Sequence, residues 1–170
     1  MEPYCDLIVL LNPAFEATRY EPLHDAARRR VYPDSQRPVF MAITARNDHA
    51  TKYAFPLGRT INTILESERY TEEETDHTQE TIEGLANKNA IGHALRYRTH
   101  RLEGSDGKAQ MSAELGDPRS RNPCTGPSTG CNPYWVIAAD ERVIDGHNGI
   151  YEDSLWGFLS DFYFQKALRQ

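Results

Sequence analysis

The sequence lacks any apolar run approaching the roughly 18 residues that cross a bilayer as a helix. Its longest, Leu7-Ile8-Val9-Leu10-Leu11, is far too short, so no transmembrane segment is expected. Positive charge is scarce at the start, where Met1-Glu2-Pro3-Tyr4-Cys5-Asp6 is acidic and a secretory leader would be basic. The expected setting is therefore cytoplasmic. Only three cysteines occur, an odd number that excludes a complete disulfide framework. Cys124 and Cys131 are spaced to close a small loop in an oxidising compartment, but three reduced thiols are the expectation. Their C-x6-C spacing falls outside common zinc patterns and no four-ligand set accompanies it, so neither a metal nor another cofactor is expected. With 19 Lys+Arg against 25 Asp+Glu, the chain also lacks the basic excess of a phosphate-neutralising protein, and nucleic acid is not expected as a partner.

What is present points to a globular chain. A 39% hydrophobic content over 170 residues is enough for one buried core, and a single domain over residues 1–170 is expected. Asp6 to Leu11 reads as a buried parallel strand ended by Asn12-Pro13, because proline offers no N–H to a ladder. Pro22 suits a first helical turn, Leu23, Ala27 and Val31 recur at helical spacing, and Arg28-Arg29-Arg30 suit a helix C-terminus, so a helix is expected over about 20–30. Val39 to Thr44 is a second apolar run of strand length, and Ile61, Ile64 and Leu65 share a face of a second helix over 59–68.

The middle of the chain differs in composition. Residues 66–83 carry eight acids against one arginine, and a polar excursion is expected over about 70–133. Arg96 to Leu102 alternates basic and less polar residues, as in an exposed strand or hairpin, and Gly104 to Pro133 reads as irregular loop. Order returns with Tyr134 to Ala139, then Val143-Ile144 and the turn-rich Asp145-Gly146-His147-Asn148-Gly149. Asp153 opens a final helix in which Leu155, Phe158, Leu159 and Phe162 recur at helical spacing. The resulting expectation is an α/β fold, an open sheet of three parallel strands with helices on both faces.

In such a sheet, functional side chains collect on the loops at the carboxyl ends of the strands. One such loop holds Arg46-Asn47-Asp48-His49 and another holds Gly146-His147. A carboxylate that accepts from one imidazole N–H fixes the tautomer and leaves the other nitrogen to take a proton from a nucleophile. Asp48 and His147 are the expected acid and base. His93 is the rival base, with His49 and His100 behind it. Asn12 and Glu16 are candidates for a substrate-cleft border, and Arg96, Arg98 and Arg101 for holding an anion, each against a plain structural reading.

Three runs, Asp6 to Ala17, Ile43 to Thr51 and Val143 to Ile150, resemble the last part of α/β-hydrolase-fold proteins related to bacterial serine esterases and lipases. The resemblance implies the last three strands of that fold, with Asp48 at the station of the triad acid and His147 at that of the histidine. It also implies a small-molecule ester or lipid substrate. The family's nucleophile elbow belongs to strands that would precede Leu7. The resemblance therefore implies the C-terminal portion of a hydrolase, inactive by itself, with an N-terminal half as the implied partner. The alternative is a non-catalytic truncated hydrolase serving as a pairing module. Gly126-Pro127-Ser128-Thr129-Gly130 has the form G-x-S-x-G, but it follows no expected strand and comes after the acid, so Ser128 is not expected to be a nucleophile.

Overall fold

The computed structural model describes residues 7–33, 36–55, 89–116 and 131–167. The second expected helix, the acidic run 66–83, Cys124 and Ser128 lie outside these residues. Five strands, β1 (Ile8–Leu11), β2 (Phe40–Ala45), β3 (His100–Ser105), β4 (Lys108–Ala113) and β5 (Tyr134–Ala139), form one sheet in the order β1-β2-β5-β3-β4. All neighbours are parallel except β3 and β4, which pair antiparallel. Among the described residues two helices flank it, α1 (Glu21–Arg29) and α2 (Asp153–Ala167). The fold is α/β.

Strands β2 and β5 are the centre, and their last five residues are all buried, as expected for strands covered on both faces. The twofold alternation of strand side chains divides them between two cores. Met41, Ile43, Trp135 and Ile137 face α2, whose Leu155 and Phe162 are buried against them with Phe158 and Leu159 packed alongside. Trp135 and Phe162 meet edge-on at 5.7 Å between ring centroids. Ala42 and Val136 face the other way, toward Ala17, Tyr20, Ile91 and Tyr97, with Leu23 of α1 packed against them. Helical structure thus covers both faces.

Two expectations are overturned in the middle of the chain. The sheet has five strands rather than three, and residues 108–113 are strand where irregular loop was expected. The signal was Asp106-Gly107, a pair that favours a two-residue hairpin because both positions need positive φ. They adopt φ 51° and 72°. Of the exposed strand or hairpin read over Arg96 to Leu102, the hairpin is present from His100 onward as the β3–β4 pair, but it is not exposed there: His100 and Leu102 are buried, because β3 also pairs with β5 inside the sheet. Alanine at Gly107 meets no neighbouring atom, so Gly107→Ala isolates the backbone cost. Its unfolding free energy should fall by about 1 kcal/mol in a urea titration.

The arginines of this region are tied to acids. Arg101 bonds Glu114 at 2.7 Å and 3.2 Å and Glu103 at 3.2 Å, Arg98 lies 3.7 Å from Glu114, and Arg96 lies 3.7 Å from Glu21. They form no open anion site. Cys131 is buried and disulfide-bonded, which overturns the expectation of three reduced thiols; its partner lies outside the described residues.

Candidate functional site

Ala45 and Ala139, the last residues of β2 and β5, are partners in register, so the chain leaves both strands side by side. After β2 the backbone turns at once, with Asp48 N–H donating to the Ala45 carbonyl, and enters a helical turn over Ala50–Ala54. After β5 the chain folds over Asp140, whose carbonyl accepts from Val143 and Ile144, and drops those two side chains into the core. Burying Val143 and Ile144 anchors the following loop, and Gly146 at φ 66° swings it back over the end of β2.

The result is a direct contact between residues 99 apart in sequence: His147 Nδ1 lies 2.8 Å from Asp48 Oδ2. Asp48 is fully buried and the His147 side chain is 48% exposed, so one partner is shielded and the other is reachable. The two carboxylate oxygens have different tasks. Oδ1 accepts from the N–H groups of Ala50 at 2.9 Å and Thr51 at 3.2 Å, the capping role of an ordinary loop aspartate. Oδ2 is left for the imidazole. Burial alone would raise the pKa of this acid, but bonds from His147 and from the Thr51 side chain and backbone outweigh it and hold Asp48 below the usual carboxylate range. It is ionised at neutral pH and can only accept, so His147 Nδ1 carries the hydrogen. His147 Nε2 has no hydrogen-bond partner among the described residues.

Two asparagines hold the histidine loop in place. Asn12, buried at the end of β1, donates to the carbonyls of Gly146 at 3.1 Å and His147 at 2.9 Å and accepts from Ala45 N–H at 2.8 Å. Asn47 accepts from Gly146 N–H at 2.9 Å and donates to Asp145 at 2.8 Å. Asn12 therefore supports the site through its hydrogen bonds to both loops. Its φ of 44° is a left-handed conformation that asparagine tolerates better than alanine. Asn12→Ala should cost about 2 to 4 kcal/mol, combining backbone strain with lost buried bonds. Asn12→Gly should recover about 1 kcal/mol of that, since it relieves the strain alone. Chemical denaturation of the two variants measures both.

The remaining candidates separate cleanly. Glu16 faces Arg19 at 3.6 Å and bridges Ala90 through its backbone. His100 is buried against Trp135, with 4.2 Å between ring centroids. His49 stacks on Tyr53 and lines a neighbouring cleft of about 510 Å³ with Arg46, Asn47, Lys52, Glu103 and Arg142. Asp48 and His147 do not line this cleft, and its charged walls are unlike an acyl pocket. His93 sits closer to the chemistry: its Nε2 is 2.9 Å from the hydroxyl of Thr51, the residue whose N–H Asp48 caps. Sequence reasoning missed Asn47 and Thr51. The Asp48-x-x-Thr51 spacing was the available sign, since an aspartate at a helical start bonds backbone three residues on. Among the described residues Glu21, His24 and Asp25 cluster closely enough to hold a metal ion, but Glu21 bonds Tyr97 and Arg96 and Asp25 bonds Arg29. No helix among the described residues is long and apolar enough to cross a membrane.

Comparison of the chain with protein-family models, with curated proteins and with solved structures found no match.

Proposed function

We propose that this chain supplies the acid and the base of an α/β-hydrolase-like serine hydrolase acting on carboxylic esters or lipids. Asp48 orients His147, and His147 Nε2 takes the proton of a serine hydroxyl as it attacks the ester carbonyl, then returns it to the leaving alcohol. Water attacks the acyl-enzyme in the second half, with the same nitrogen as base. The observation that carries the reading is the 2.8 Å bond between a buried, ionised aspartate and a half-exposed histidine at the carboxyl ends of adjacent parallel strands. The nucleophile is assigned to an N-terminal half that is not among the described residues. The disulfide at Cys131 favours an oxidising setting over the cytoplasm for this reaction.

A second reading has its own support. Among the described residues β1 is an edge strand of the sheet, its Ile8 is 47% exposed, and an apolar edge strand invites another strand to pair with it. In that reading the chain is a pairing module whose histidine does no chemistry. Ester cleavage by the chain alone, and by the chain co-expressed with a half carrying a strand, G-x-S-x-G and a helix, separates the two. The hydrolase reading expects activity only in the combined protein, lost by about 10³-fold or more in His147→Ala. Assembly without cleavage leaves the module. Phosphonate labelling of Ser128 in the chain alone, abolished in His147→Ala, would overturn the assignment of the nucleophile to another segment.

A further inference from the structure

The cleft of about 510 Å³ at the carboxyl ends of β2 and β5 has charged walls, and most of its acids are already engaged. Asp140 Oδ2 lies 3.3 Å from Arg142 Nε, and its Oδ1 accepts from the N–H groups of Gly104 and Arg142, each at 3.1 Å. Glu103 accepts from Arg101 at 3.2 Å. Two cations in the walls are not engaged in this way. Arg46 and Lys52 are exposed and form no ion pair among the described residues, and Glu141 is the one acid of the cleft in the same condition.

Arg46 is left over for a geometric reason. Its backbone N–H donates to the Ala139 carbonyl at 2.8 Å, which pins it where β2 and β5 end. It acts through space on Glu114, but Arg101 already holds both oxygens of that carboxylate, Oε1 at 2.7 Å and Oε2 at 3.2 Å. Arg98 Nη1 stands 3.7 Å from the same Oε2, with its own side chain only 13% exposed. One carboxylate thus answers three guanidinium groups and is spent on two of them. Arg98 registers the excess: burial, with Arg46 and Arg101, pushes its pKa down against the pull of Glu114. Lys52 and Arg98 in turn join burial in lowering the pKa of His93 against the pull of Asp48.

We infer that this cleft binds the anionic group of a small molecule, a carboxylate or a phosphate, with Arg46 as the principal contact and Lys52 as the second. A guanidinium presents paired N–H donors that match two oxygens of either group. A concave wall focuses the field of the two cations, which matters in a chain whose net charge of -6 otherwise repels anions. Asn47 ties the cleft to the candidate site: it lines the cleft, and its side chain accepts from Gly146 N–H and donates to Asp145 in the His147 loop. An ester carrying such a group would lie beside that loop. This use of the cleft rests on the hydrolase reading, whereas the binding itself does not.

The test is a titration of the full chain at pH 7 and constant ionic strength with inorganic phosphate and, separately, with acetate, read by ¹H–¹⁵N NMR at the backbone N–H groups of Arg46, Asn47 and Lys52. Saturable shifts at these signals are expected with at least one probe, and the tighter one tells phosphate from carboxylate. Arg46→Gln should raise the Kd about tenfold or more, the loss of a charge-assisted bond, and Lys52→Gln about threefold. Glu141→Gln should lower the Kd, because it removes the unpaired carboxylate from the walls. Arg29→Gln, which takes the same charge from α1, should leave it within about twofold, since exposed charges beyond a Debye length are screened. Absence of saturation with both probes overturns the inference. So does an equal effect of Arg46→Gln and Arg29→Gln, which would make the shifts a response to net charge, or weaker binding in Glu141→Gln. If Arg46→Gln does not fold, Lys52→Gln and Glu141→Gln decide. None of these outcomes touches the Asp48–His147 pair, whose test is ester cleavage in the combined protein.

Discussion

Between pH 6.5 and pH 3 the protein is expected to lose roughly 4 to 5 kcal/mol of stability through one side chain, His100. Burial pushes this imidazole down to about 3 from its ordinary 6.5, because it lies under Trp135 with Nδ1 bonded to Thr99 and Nε2 without a partner. A depressed histidine pKa means that the unfolded chain binds the proton first. Stability is therefore whole above pH 6.5, falls as the pH drops below it, and stops falling only near the folded value. His93, also held below the ordinary range by burial, adds to the slope in the same direction. Asp48 acts in a lower window: its folded pKa is depressed below 3.8, so its contribution is present above that value and is lost as the pH falls through the folded one. Urea unfolding at stepwise pH should show a steep decline between pH 6.5 and 4 that His100→Phe flattens and His93→Gln reduces only in part. Should His100→Phe fail to fold, direct titration of His100 in the wild type answers the same question. Protonation of that ring near pH 6 would contradict the burial argument.

Asp48→Asn should separate the two tasks of the Asp48 carboxylate. The amide oxygen can still accept from Ala50 and Thr51, so the capping bonds at 2.9 Å and 3.2 Å survive and stability should change by about 1 kcal/mol or less. The amide N–H2 then faces His147 Nδ1, which must give up its hydrogen and become the acceptor. The ring flips to the tautomer with hydrogen on Nε2, the nitrogen that has to receive the serine proton. In the combined protein ester cleavage should fall by about 10³- to 10⁴-fold with little change in substrate affinity. Asp48→Ala loses the cap as well and should cost about 2 kcal/mol, because the N–H of buried Thr51 and that of Ala50 are left without their acceptor. Parallel urea titrations and ester assays of the two variants give the contrast. Equal stability losses would mean that the oxygen facing His147 matters as much to the fold as the capping one.

Much of the central sheet was legible because apolar runs carry their own meaning. Ile8–Leu11 and Tyr134–Ala139 fall within the expected strands, Phe40–Ala45 runs one residue past the expected Val39 to Thr44, and α1 and α2 lie where proline, arginine and apolar spacing placed them. The hairpin of β3 and β4 was hidden by composition. Gly104, Ser105 and Gly107 read as loop, and Lys108–Ala113 is mostly exposed at the sheet's edge, so no apolar pattern marked it. Only the Asp-Gly turn did, and a two-residue signal is easily lost within a long polar stretch.

The sequence by itself determined strands β1, β2 and β5 and the edge of the sheet at which Asp48 and His147 both emerge, since parallel strands send their following loops to one edge. Tertiary structure alone decided the rest of the site. Asn12 reaches residues 134 and 135 positions away, and His93 meets Thr51 across 42. Such contacts depend on which strand lies beside which, and on turns anchored by Val143, Ile144 and Ile91. No local pattern encodes them: a buried polar side chain finds its partners only once packing has removed it from water, and an unpaired donor there costs more than the chain can spare.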